Sequence, residues 1–269
     1  MIRRYKFHAL TVLLLVPAAS CIGSTGGDLV EIDAYAAGPT TLVKGQPYRF
    51  TNDRGFDVTL DAAKIHIGAL YLNQSVPTSV ASDTSCFLAG IYVAELTSGR
   101  DVDVLDPTLQ PFPTTGFATT ERARTAEVWL SGGDVETRSD PTIIVSVRGT
   151  AVSGTESYPF EAAITISDNR VVTPPDPALP GAKPICKQRI VSPISVDITP
   201  SERGSLVVRV DPAGWFGNVD FSELEQVGDN PSRYRFRDDG TDQPSRALYA
   251  GIRANAGVYA LSWEDSSGG

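Results

Sequence analysis

Apolar and polar positions alternate over short stretches of this chain and almost nowhere recur at the three-to-four-residue spacing of a helix. Runs rich in β-branched and aromatic residues are separated by Gly, Pro, Asp, Asn and Ser, which is the pattern of an all-β fold. The runs predict strands over Leu29–Tyr35, Gln46–Thr51, Asp57–Asn73, Gly90–Glu95, Ala126–Leu130, Thr142–Val152, Tyr158–Ile166, Ile190–Ile198, Gly204–Val210, Ser232–Phe236 and Ala247–Trp263, the last broken around Ala254–Gly257. Alternation is clearest in Ser205–Asp211, where Leu206, Val208 and Val210 share one face. Thr142–Val152 is richer in apolar residues and reads as a strand covered on both faces. Asp57–Asn73 is too long for one ordinary strand, and Gly68 marks its bend or bulge. Helix is expected in two short places at most: a turn over Thr119–Thr125, and Phe221–Val227 with Ser222 as cap and Glu225 three residues on. The expected architecture is a β-sandwich-like domain of antiparallel strands with at most one or two short helices.

Val171–Pro184 interrupts the pattern with five prolines, which force an extended chain lacking ladder hydrogen bonds. Two readings stay open: one domain over 28–265, or a split into halves at 171–184.

The first twenty residues follow a different rule. Arg3, Arg4 and Lys6 precede an uncharged, mostly apolar stretch of Ala9–Ala19, and small residues end it before Cys21. A spanning helix needs about 20 apolar residues, so this stretch suits a signal peptide. Ala18-Ala19-Ser20-Cys21 resembles the lipobox of bacterial lipoproteins, although that family usually has Leu where Ala18 stands. The resemblance implies cleavage before Cys21 and a lipid on that cysteine. Residues 21–27 then read as a flexible tether, and Ile22 after the cysteine implies the outer membrane in a double-membraned host. The other reading is a plain secretory signal with an incidental cysteine. With Cys21 taken by lipid, Cys86 and Cys186 remain as an even pair in an oxidising compartment, and a disulfide between them is expected. Two free cysteines, or a soft-metal pair, are the alternatives.

Without its first twenty residues the chain carries 20 Lys and Arg against 32 Asp and Glu, a net charge of −12. Nucleic acid is therefore not an expected partner, since it needs a positive surface. Histidine is nearly absent: beyond the signal segment only His66 remains, and one His cannot build an ordinary zinc or copper site. His66 is the one histidine available as a general base, and no Gly-x-Ser-x-Gly accompanies it. Asp101, Asp103 and Asp106 superficially match oxygen-ligand spacing, but the glycine and distal glutamate of a calcium loop are missing. In a strand, Asp101 and Asp103 share the wet face while Val102 and Val104 point inward. Asp238-Asp239-Gly240-Thr241-Asp242 reads as a turn. No phosphate-cradling or dinucleotide motif is present, so no catalytic residue, metal or cofactor is expected.

The aromatics suit binding better than chemistry. Trp129 and Trp263 are expected in the core. Trp215 and Phe216 follow a turn, where large apolar side chains either fold inward or contact a ligand. Asp57–Asn73 and Leu206–Leu224 resemble bacterial periplasmic lipoproteins related to the methanobactin-operon copper-binding protein. The resemblance implies an all-β exported lipoprotein. Metal binding is not carried over, because the histidines of that group are missing apart from His66. The sequence thus points to a non-enzymatic, lipid-anchored envelope protein with a protein, glycan or small-ligand partner. An envelope hydrolase using acidic residues and a purely structural component are the alternatives.

Overall fold

The computed structural model describes residues 26–77, 88, 90–170, 185–229 and 232–265. Among these, sixteen strands dominate: β1 (Leu29–Ala37), β2 (Tyr48–Thr51), β3 (Asp57–Ile67), β4 (Ala69–Asn73), β5 (Tyr92–Leu96), β6 (Arg100–Asp103), β7 (Gln110–Pro111), β8 (Gly116–Thr119), β9 (Ala123–Trp129), β10 (Ile143–Ser153), β11 (Glu156–Thr165), β12 (Ile190–Ile198), β13 (Gly204–Val210), β14 (Glu225–Asp229), β15 (Ser232–Arg235) and β16 (Tyr259–Asp265). Two α-helices, α1 (Ile185–Gln188) and α2 (Gln243–Ile252), and three 3-10 turns accompany them. None of these helices is long and apolar enough to cross a membrane.

The strands form two sheets. The nine-stranded sheet runs β12-β9-β4-β5-β8-β1-β13-β16, with β7 also on β1; the seven-stranded sheet runs β14-β15-β11-β10-β3-β2, with β6 also on β3. All pairings are antiparallel except β1 with β13 and β11 with β15. The all-β expectation therefore holds, in mixed rather than purely antiparallel sheets.

Alternation decides what each sheet buries. Val30, Ile32 and Ala34 of β1 point inward, while Leu29, Glu31 and Asp33 are exposed. From the other sheet Tyr158, Phe160, Ala162 and Ile164 of β11 point inward. The inner faces meet in one hydrophobic cluster that extends from Val30 to Tyr259. Its aromatic centre is Phe160, Phe216, Phe221 and Phe236, with ring centroids 4.9–6.2 Å apart. Two buried polar side chains in this frame bond to backbone. Asn52 donates to the Phe216 and Val219 carbonyls at 3.1 and 2.8 Å and accepts from the Arg54 and Phe56 amides. Arg189 is fully buried and donates to the carbonyls of Ile166, Val135, Thr137 and Arg138.

Gly68 carries the chain from one sheet to the other. The segment Asp57–Asn73 is two strands in different sheets, β3 and β4, joined by that one residue. A Cβ there would lie 2.1 Å from the Ser131 carbonyl oxygen, so only glycine allows the two backbones so close.

Several expectations need correction. Ala247–Trp263 is not a strand: its first part belongs to α2, and only Tyr259–Asp265 is strand β16. The helix starts because Asp242 caps it, accepting from the Ser245 amide at 2.7 Å, with Pro244 in the first turn. Thr119–Thr125 is not helical: Thr119 ends β8, Ala123–Thr125 begin β9, and residues 120–122 turn between them. Phe221–Glu223 is a 3-10 turn capped by Asp220 rather than Ser222, and Glu225 already lies in β14. β10 is covered on one face only, since Arg148 is exposed and Ile143 is 52% exposed. Its apolar run is confined to Ile143–Val145, and further along Ser146, Arg148 and Thr150 alternate outward. The proline-rich residues 171–184, the signal segment, Cys21 and Cys86 lie outside the described residues.

Candidate functional site

The outward face of the nine-stranded sheet gathers chemistry that the inner face does not use. In β9, inward Ala126 and Val128 leave Glu127 and Trp129 on the outer side; in β4, inward Leu70 and Leu72 leave Tyr71 and Asn73 there. β5 contributes Tyr92 through an irregularity. The register with β4 slips between Leu72↔Ala94 and Asn73↔Tyr92, so one extra β5 residue is accommodated. That bulge turns Tyr92 to the side of Tyr71, where plain alternation from Glu95 would send it inward. Tyr71 lies 4.8 Å from Trp129 and 5.3 Å from Tyr92 between ring centroids.

Under these rings lies Glu127, fully buried. Its two oxygens accept from the Trp129 indole N–H at 2.8 Å and from the Asn73 amide at 3.0 Å. Burial pushes the Glu127 carboxyl up from its ordinary pKa, and the two hydrogen bonds oppose that shift without cancelling it. The same carboxylate acts on its neighbours. Burial, aided by Glu95 and Glu127, raises Tyr71, and burial with Glu127 and Tyr71 pushes Tyr92 up to about 12. Asn73 is also fully buried, and its Oδ1 has no donor. The ensemble is an aromatic patch over a carboxyl that only neutral groups hydrogen-bond.

Trp129 is thus a half-buried outward residue and not the core residue expected. The signal for the site was present in the alternation of Ala126–Leu130, which puts Glu127 and Trp129 on one face. The bulge that adds Tyr92 has no sequence signature.

Trp215 and Phe216, expected as weak ligand contacts, are fully buried. Their 3-10 turn is capped by Asp211 and packs both rings into the core, so no Trp215-centred surface is offered. A cavity of about 440 Å³ beside them is lined largely by small residues, including Ala247, Ala250, Gly251 and Ala254. Trp263 is partly buried against the core, its indole N–H donating to Asp265 and Ser201.

His66 is paired across strands with Asp101, Nδ1 to Oδ1 at 2.7 Å, and its Nε2 is buried without a partner. Asp103 accepts from the Leu105 amide, and Val102 and Val104 point inward as expected. Asp106 accepts from Lys44 and the Thr108 amide, which hold its carboxyl down at about 2. Asp238 binds Arg170 and Thr165, Asp239 accepts from Thr241, and Asp242 caps α2. Among the described residues no three His, Cys, Asp or Glu stand together as ion ligands. Cys186 is fully buried in α1 and is not free; its expected partner Cys86 and the lipidation site Cys21 lie outside the described residues.

Fold and site together define an all-β protein with an aromatic and acidic outer face. No family model and no curated protein matches the chain. Among solved structures it is similar to MbnP from Methylosinus trichosporium, at 9% identity and a TM-score of 0.35, over 90% of this chain and 100% of that one.

Proposed function

We propose that this chain is an exported cell-envelope lipoprotein, anchored by lipid on Cys21, that binds a partner and catalyses no reaction. The observation that carries the binding half is the Trp129–Tyr71–Tyr92 patch over buried Glu127, because aromatic groups placed outward on a rigid sheet are the usual anchors of recognition. The lipid half rests on Ala18-Ala19-Ser20-Cys21 and the flexible residues after it. The test is direct. Cys21→Ser should leave the protein soluble or unprocessed on membrane fractionation, while Trp129→Ala should abolish partner capture and keep membrane attachment. Membrane retention of a fully processed Cys21→Ser chain defeats the anchoring claim.

A second reading has one observation behind it. Asp61 and Glu161 line one cavity of about 320 Å³ together with Arg148, Arg233 and Tyr234, and two carboxylates flanking a cavity are what acid hydrolysis of a glycoside requires. Both acids are exposed, however, and neither has the burial that makes a carboxyl a good general acid near neutral pH. Turnover of aryl glycosides that vanishes in Asp61→Asn and Glu161→Gln would establish this reading.

A further inference from the structure

Following the register across the outward face of the nine-stranded sheet gives a continuous row. Glu127 of β9 stands opposite Tyr71 of β4, Tyr71 opposite Glu95 of β5, Glu95 opposite Phe117 of β8, and Phe117 opposite Glu31 of β1. Carboxylate and ring alternate over five strands. Strands lie about 4.8 Å apart, so the carboxylates recur about every 10 Å. No ion pair among the described residues involves Glu31, Glu95 or Glu127.

The seven-stranded sheet treats the same positions differently. Its outward row runs Arg148 of β10, Glu161 of β11, Arg235 of β15 and Glu225 of β14, so every carboxylate faces a guanidinium from its own sheet. Arg235 and Glu225 pair at 3.3 Å. In this row register sets Glu161 between Arg148 and Arg235, although only Arg235 and Glu225 form an ion pair among the described residues. No guanidinium or ammonium stands in the Glu127–Glu31 row, where the carboxylates alternate with rings.

We propose that the Glu127–Tyr71–Glu95–Phe117–Glu31 row docks a basic, extended segment of a partner protein. This rests on the reading of the aromatic face as the binding face, and names its partner. Lysine or arginine side chains would lie over Tyr71 and Phe117, attracted by the ring faces, with Glu95 and Glu31 as counter-charges. In a partner segment of polyproline II conformation every third side chain returns to the same side about 9 Å further on, close to the carboxylate repeat. Phe117, 53% exposed, supplies apolar area within the row.

The test uses the full chain in detergent and fluorescence anisotropy of a labelled ten-residue peptide with arginine at every third position and alanine between. A saturable signal is expected, weakened at least tenfold when glutamine replaces arginine, and weakened again by added salt. Glu95→Gln and Phe117→Ala, both at exposed positions, should each weaken binding roughly five- to tenfold. Glu225→Gln, on the opposite sheet, should leave it unchanged. Equal loss in Glu225→Gln and Glu95→Gln would reduce the effect to net charge and overturn the proposal. Binding of cellohexaose that depends on Trp129, with no binding of the arginine peptide, would keep the aromatic face as a binding face and overturn its basic partner. No binding of either, with Trp129→Ala still capturing partners as wild type does, would overturn both.

Discussion

Across the outward face of the nine-stranded sheet, carboxylates alternate with aromatic rings; across that of the seven-stranded sheet, carboxylates alternate with arginines. Both sheets are built by the same inward rule, with aliphatic and aromatic side chains at every second position. The pleat therefore leaves the outward positions free of the core's demands, and each face has spent that freedom differently. Arg148, Glu161, Arg235 and Glu225 set each carboxylate beside a guanidinium in register, with Arg235 and Glu225 in an ion pair. Such an exposed pair contributes little stability, on the order of 0–1 kcal/mol. Glu127, Glu95 and Glu31 stand in a row with rings and no cation, which is what the proposed basic partner would complete. The comparison teaches that surface charge is informative when its partner is missing from the same register row.

The largest expected effect removes the comparison altogether. Gly68→Ala should destabilise the protein by about 3 kcal/mol or more in urea unfolding, because the new Cβ meets the Ser131 carbonyl, which is backbone and has no easy retreat. Both faces should lose order together, since Gly68 is the link between β3 and β4.

Next comes the contrast between the two faces. Glu127→Ala leaves the Trp129 indole N–H and the Asn73 amide without their acceptor in a buried place, and should cost about 2 kcal/mol by the same measurement. Glu161→Ala on the exposed row should stay within about 0.5 kcal/mol. Equal losses would mean the two carboxylates are not differently placed.

Acid titration should separate two carboxyls with opposite signs. The Glu127 pKa is raised in the folded state, so its contribution is most favourable below the ordinary glutamate value and is lost as pH rises through the folded pKa. Asp106 is held down at about 2, so its contribution is present above its ordinary value of 3.8 and is lost as pH falls toward 2. Melting temperature against pH should rise for wild type relative to Glu127→Gln as pH drops from neutral toward 4.5. Relative to Asp106→Asn it should fall between pH 4 and 2.

The smallest expected effect on the comparison is chemical. The expected Cys86–Cys186 bridge would close a loop of about 100 residues, and its reduction should lower overall stability without changing the contrast between the faces. Since Cys186 is already buried in the frame, its bridging should leave ligand binding on the aromatic face untouched while reductant lowers stability. Peptide mapping without reductant that finds Cys86 unpaired would end that expectation.

Much of the fold was legible because period-two alternation is a local signal. Leu29–Tyr35, Tyr158–Ile166 and Gly204–Val210 are strands close to where the pattern put them. The errors came where local signal and context disagreed. Ala247–Ile252 looks apolar enough for a strand, yet the cap at Asp242 and the proline after it start a helix. Trp215 follows a turn that resembles a loop, but Asp211 caps a 3-10 turn that folds the indole into the core. The site was half legible. Glu127 and Trp129 share a face by simple counting, and His66 was visible as a lone residue whose cross-strand partner Asp101 was not. The bulge that brings Tyr92 outward and the row that crosses five strands depend on register, which is a property of pairs of strands and of no single one.

β1 is held along its length by β8 and β7 on one side and β13 on the other. It is also the first strand after the tether. In a chain anchored at Cys21, any pull between the membrane and a bound partner runs along the axis of β1, at right angles to its ladder hydrogen bonds. Loaded that way, the bonds on both sides share the force and must yield together rather than one at a time. If the proposed anchor holds, the order of strands would put the domain's firmest resistance at the strand that carries the load.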